Sequence, residues 1–333
     1  MKSKKFIALA LGVAGATLFV SCSNSQVISF NANWYYDTTT KNTTENVETL
    51  KYNVSFEKTE GLFSGSYLAH YGDGTYVTEL KTASVNGETV YEYKTELSIP
   101  VTFEHRASGE VSETFTDSVI TVAQFKTPTA GLAPVASEKT VKCHSPIGAE
   151  ASTLKDCFTE YNYTVAVTYE DTAASYTITD AIGNVVPVKE GESVGVKTGK
   201  FTASQKNYSY LDNEQILLAL RGISASSQKF VTYYATERNM KTISVSVGDK
   251  KGLETEFTLN GAANPTAKKN ISYYPYTIKF ASKNNSGASQ EIWVAETTNP
   301  LQNTYRNVIL RMKMPISYNI GNLIYTLTEA TFA

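Results

Sequence analysis

The 333 residues include only three histidines, three cysteines and two tryptophans, and those few are scattered along the chain. No His-Glu-x-x-His pair, glycine-rich phosphate loop or histidine cluster occurs, so catalysis through a metal or a nucleotide has no motif to rest on, and no cofactor is expected. Charge of neither sign is concentrated. The formal net charge is −2, with acids and bases dispersed. That leaves no footprint for nucleic acid and no polybasic strip for anionic lipid heads. The chain also lacks an apolar run of the ~20 residues that cross a bilayer as a helix.

What it does have begins at the N-terminus. Met1-Lys2-Ser3-Lys4-Lys5 is a basic segment, Phe6 to Val20 is apolar or small, and Ser21 precedes Cys22. This three-part pattern resembles the signal and lipobox of bacterial lipoproteins. The resemblance implies cleavage before Cys22 and acylation of its thiol and new amino group. Residues 1–21 are then lost, 312 remain, and removal of three lysines and no acid takes the formal charge from −2 to −5. The protein is expected to be exported and held on a bacterial membrane by lipid on Cys22, facing the periplasm or the cell exterior. Residues 22–26 form the linker. The four residues Ser23–Gln26 span at most ~14 Å, which keeps the folded body close to the bilayer.

Beyond the linker the dominant period is two. Leu50, Tyr52, Val54 and Phe56 alternate with Lys51, Asn53 and Ser55, as one face of a half-buried strand requires. Asn86-Gly87 is a strong hairpin signal, because both residues tolerate the positive φ of a type I′ turn. Gly72-Asp73-Gly74 and Ala107-Ser108-Gly109 mark further turns, and Pro100 points to an edge position or a bulge. Two prolines and a glycine over 127–135 mark a linker between an N-terminal β-sandwich domain, 27–126, and a C-terminal β-rich domain, 136–333. A long connection within one sandwich fits the same residues.

One stretch breaks the β pattern. Asp212 is followed three places on by Gln215, and Ile216, Leu217, Leu220 and Ile223 share one helical face before and after Gly222. A helix over 213–221 is too short to stand alone, so it must plug or cover a sheet. Many short strands, Asn/Gly/Asp turns, 22 tyrosines and one helix together predict an all-β, antiparallel β-sandwich architecture. A solute-binding protein of the α/β type needs many helices, and this chain has no pattern for them.

With Cys22 acylated, Cys143 and Cys157 remain in a compartment where disulfides persist. They flank a turn-rich segment, and a bridge between them would contribute about 3 kcal/mol in the loop-entropy model. Two buried thiols are the alternative. A zinc site is short of ligands, with only His144 beside one of the two thiols.

Two catalytic look-alikes are present. Gly191-Glu192-Ser193-Val194-Gly195 matches the nucleophile elbow of α/β-hydrolases, but all three histidines, His70, His105 and His144, precede Ser193, against the serine–acid–histidine order. Ser152-Thr153-Leu154-Lys155 and Lys197-Thr198-Gly199 mimic two boxes of penicillin-binding proteins without the helical framework between them. Carboxylates such as Glu237, Glu254 and Glu256 are the remaining candidates for a glycosidase pair. The most distinctive feature is aromatic. Adjacent rings on a strand point to opposite faces, so Trp34, Tyr36, Tyr234, Tyr274 and Trp293 are candidates for an exposed ligand platform.

No catalytic residue and no metal site is assigned. The expected function is that of a lipid-anchored envelope or surface protein that binds a glycan or a protein partner. A carboxylate-dependent polysaccharide hydrolase and a purely structural envelope lipoprotein are the alternatives.

Overall fold

A computed structural model describes residues 46–59, 66–126, 132–147, 150–170, 173–202, 210–223, 228–234, 239–259, 269–280, 289–296, 307–316 and 320–332. The signal segment, Cys22, the strand expected at 27–30, Trp34 and Tyr36 lie outside these residues.

The strands of the first half are β1 (Asn46–Lys58), β2 (Tyr67–Tyr71), β3 (Gly74–Val85), β4 (Glu88–His105), β5 (Glu110–Val111), β6 (Phe115–Lys126), β7 (Ala133–Pro146), β8 (Phe158–Tyr169), β9 (Ala173–Asp180) and β10 (Gly195–Thr202). Then come β11 (Tyr210–Asp212), helix α1 (Ile216–Gly222), β12 (Gln228–Tyr234), β13 (Asn239–Val247), β14 (Lys251–Thr255), β15 (Thr258–Leu259), β16 (Lys269–Phe280), β17 (Gln290–Ala295), β18 (Ile309–Pro315) and β19 (Gly321–Phe332). The all-β antiparallel class with one short helix near 213–221 is what the chain adopts.

The strands join edge to edge into one sheet. From β10 it runs through β9, β8, β7, β6, β4, β3 and β1. There β1 pairs with β19, and the sheet continues through β18, β17, β16, β13 and β12 to β11. Among the described residues only the short pairings β11–β12 and β15–β19 are parallel. The strands on either side of 127–131 pair directly with each other, the first and last strands do the same, and one apolar core extends from Leu50 to Ala330. The described residues of segments 27–126 and 136–333, expected as separate domains, thus share a sheet and a core. The reason is that the inward positions of both segments pack into the same interior.

Local turn chemistry sets the hairpins. Asn86 and Gly87 have φ of 51° and 81°, the type I′ geometry that lets β3 and β4 pair over their full facing length. Pro100 sits inside β4 rather than at an edge or bulge. It falls where one edge of β4 changes partner, from β3, ending at Ser98, to β2, beginning opposite Val101. The amide that proline lacks is not needed at that junction, while its carbonyl accepts from Gly72 N at 2.9 Å.

The helix is enclosed. Asp212 caps a 3-10 turn, Asn213–Gln215, by accepting from Glu214 N, and the Gln215 side chain returns to Asp212 N at 3.0 Å. All seven residues of α1 are buried. Gly222 ends it without a left-handed cap, since Ile223 is already extended. Side chains meet this segment from β1, β3, β4, β6, β7, β8, β18 and β19. A single sheet reaching one helix from so many strands has curled around it, as the twist of a long sheet permits. The helix is therefore the plug of the fold.

Candidate functional site

The plug is held at both ends by buried polar contacts. At its C-terminal end, Arg221 donates to both carboxylate oxygens of Glu48 at 2.6 and 2.7 Å, and Nε reaches Asn307 O at 3.2 Å. At the other end the Asp212 carboxylate accepts from Ser137 Oγ at 2.6 Å, from Tyr169 Oη and from Glu214 N at 2.8 Å. Complete burial, reinforced by the neighbouring Glu214 carboxylate, pushes the Asp212 pKa up to about 6 against the pull of these donors.

Between the plug and the sheet lies a cleft of about 30 Å³. Its walls are Leu97, Val119, Leu217, Met312 and Met314 with the rings of Tyr76 and Tyr325. These two rings meet edge to face at 5.2 Å. Burial holds both tyrosine hydroxyls above their usual range, so they stay neutral. Thr95 and Thr121 share a hydrogen bond of 2.7 Å on the β4 and β6 side. Lys139 and Glu214 complete the lining, with Lys139 Nζ 3.3 Å from Glu214 Oε1. They are the most exposed of its lining residues, the others being buried, so the cleft opens beside this ion pair. The space is enough for about two waters or a small group, and the walls are apolar apart from that mouth and the threonine pair.

Of the aromatic residues expected to form a platform, Tyr274 and Trp293 have described side chains, and these two do not come together. Tyr234 is the last residue of β12, and its side chain is outside the described set. Tyr274 pairs across the sheet with Val294 and Trp293 with Pro275, which places the two rings on opposite faces. Neither is exposed. Trp293 stacks on Tyr273 at 4.9 Å, and the Arg311 guanidinium lies 4.9 Å from its centroid. Tyr273, Trp293 and Arg311 stand on successive strands β16, β17 and β18, so both faces of the indole are occupied. A sugar ring has no face left to stack on. Tyr274 is half-buried, with its hydroxyl 3.4 Å from Glu296 Oε1.

The bridge weighed for Cys143 and Cys157 does not form. Cys143 pairs with Tyr161 in the β7–β8 register, and Ile147 N bonds to Cys157 O. Four residues of strand, about 13 Å, separate the two positions, well beyond the ~7 Å Cα limit for a disulfide. Cys157 Sγ donates instead to Thr153 O.

Ser193 is exposed on a turn that leads into strand β10, not into a helix, and 186–189 form no strand before it. The Ser152–Lys155 motif overlaps a 3-10 turn, Leu154–Asp156, while Lys197-Thr198-Gly199 lies on β10. Glu254 and Glu256 are exposed, and Glu237 lies outside the described residues.

Periodicity alone does not point to Lys139, Glu214, Asp212 or Glu48. The available signal was a charge at a core position: Lys139 falls in phase with the buried residues Ser137, Val141 and Cys143 on β7.

No family model and no curated protein matches this chain. Among solved structures it is similar to the crystal structure of a β-barrel-like protein of domain of unknown function DUF1849 from Brucella abortus. The TM-score is 0.46 at 12% identity, with 86% of this chain and 97% of that chain covered.

Proposed function

We propose that this chain is a lipid-anchored protein of the bacterial cell envelope, tethered through Cys22 and facing the periplasm or the exterior, that works by binding a ligand between its plug helix and its curled sheet. The observation that carries this reading is the cleft. Apolar walls from β4, β6, β18 and α1 converge on a mouth marked by one ion pair, Lys139–Glu214, the arrangement of a site that holds a small molecule and orients it by few polar groups. Trp293 supports it indirectly, because its ring is already covered on both faces.

The test uses the full chain expressed in a bacterial host. Labelled palmitate should enter the wild-type protein and not Cys22→Ala. Gently extracted protein, examined by native mass spectrometry, should carry a non-covalent adduct that Val119→Phe, which fills the cleft, removes. An adduct that survives Val119→Phe would place the ligand elsewhere and end this reading of the cleft.

A further inference from the structure

The mouth of the cleft carries an unused acceptor. The Glu214 side chain is 8% exposed, and its Oε1 is occupied by Lys139 Nζ at 3.3 Å and Asn213 Nδ2 at 2.8 Å. Its Oε2 is buried with no hydrogen-bond partner among the described residues. A buried carboxylate oxygen without a donor is costly, and a chain that retains one at the lining of a cleft leaves room for a donor from outside. Charge points the same way. The Glu214 carboxylate has the Asp212 carboxyl as an electrostatic neighbour and one ammonium, Lys139, at 3.3 Å, so a further anion is disfavoured and a neutral donor or a cation is welcome.

The remaining walls define the other half of the ligand. Of these, Leu97, Val119, Leu217, Met312 and Met314 offer no polar side-chain atom beyond the weakly accepting thioethers, the Thr95 and Thr121 hydroxyls bond to each other, and the Tyr76 and Tyr325 rings meet edge to face. The unbranched methionine side chains can shift to admit a few methylenes beyond the 30 Å³ already present. We infer that the cleft binds a short alkyl chain ending in a hydrogen-bond donor, a hydroxyl or primary ammonium, with the head on Glu214 Oε2 and the chain against Leu217, Val119 and the two methionines. This assignment rests on the cleft being the ligand site.

Three water-soluble probes of equal length, 1-butanol, n-butylammonium and butyrate, decide it by ligand-observed saturation-transfer NMR on the full chain in lipid nanodiscs. Val119→Phe supplies the background for partitioning into lipid, with a melting curve to establish that it folds; Thr121→Leu replaces it if it does not. Butanol and butylammonium should bind above that background and butyrate should not. Glu214→Gln keeps the side-chain shape and the contact to Lys139, yet should weaken butylammonium binding by roughly tenfold or more. If butyrate binds as well as butylammonium, or if Glu214→Gln changes nothing, the head-group assignment is overturned while the cleft stands as a site. If none of the three exceeds the blocked-cleft background, the cleft itself is not the ligand site, and the inference falls with it.

Discussion

Arg221, at the end of the plug helix, grips Glu48 on the first strand with two parallel hydrogen bonds of 2.6 and 2.7 Å across 173 positions of sequence. Both side chains are 1% exposed. This pair joins the helix to β1, the strand where the first half of the sheet meets the last, so it closes the fold as well as fixing the helix. Removing one partner strands a charge in the interior. Glu48→Gln should cost about 3–5 kcal/mol, whereas the double replacement Glu48→Leu with Arg221→Met should cost much less, since apolar side chains of similar volume substitute well for a buried pair. Urea unfolding midpoints at unchanged slope measure this. A double variant less stable than either single would refute the account.

The opposite end of the helix responds to pH. The Asp212 carboxyl has its pKa raised from 3.8 to about 6 in the folded chain by burial and by Glu214. A raised acid favours the folded state when protonated, so its contribution is fully present below the unfolded pKa, about 4, and is lost as pH rises through about 6. Asp212→Asn keeps a capping side chain but cannot ionise. The difference in stability between wild type and this variant should therefore shift in the variant's favour from pH 4 to pH 7. Comparing the two proteins cancels other buried acids such as Asp117, which burial also raises. A pH-independent difference would count against it.

Much of this architecture could be read from local pattern. The Asp212–Gln215 capping box and the following apolar face located the helix to within a residue or two, and Asn86-Gly87 located a hairpin, because both are set by contacts within a few positions. The pairing of β1 with β19 and the placement of Glu48 opposite Arg221 are not local. Period-two alternation says which side of a strand faces inward, but not which distant strand supplies the next edge, so a linker at 127–135 looked like a domain boundary where the sheet in fact continues. The cleft was hidden for the same reason, since its walls come from β3, β4, β6, β7, β18, β19 and the plug together. For Tyr274 and Trp293 the aromatic platform failed at the next level. Opposite-face logic placed one ring of each pair outside the core, but the neighbours of Trp293, Tyr273 and Arg311, come from different strands and occupy the space a ligand would need.

That arrangement of Trp293 makes an optical prediction. In a Trp34→Phe background, Trp293 is the only indole. Replacing Arg311 with Ala uncovers one ring face to water and should shift its emission to the red, with a stability loss of about 0.5–1 kcal/mol for a partly exposed cation–π contact. Replacing Lys313, which projects from the same strand to Glu57, should leave the emission unchanged. Equal spectra for the Arg311 variant and its parent would mean that the guanidinium does not cover the ring.

The register of β7 and β8 governs the behaviour of the two body cysteines. Cys143 is opposite Tyr161, so Cys157 lies four residues along the ladder, and no rotamer choice closes about 13 Å. Both are buried, and burial together with Asp156 raises the Cys157 thiol above its usual range. Thiolate is the reactive form, so both should resist alkylation in the native protein and react once it unfolds. Iodoacetamide added to protein isolated under oxidising, non-reducing conditions should add little mass in buffer. In urea it should add two carbamidomethyl groups on Cys143 and Cys157, and the melting temperature should be unchanged by reductant. Alkylation in urea that appears only after reduction, with a lower melting temperature in reductant, would show that the strands slip far enough to bridge them and that the β7–β8 register described above is wrong.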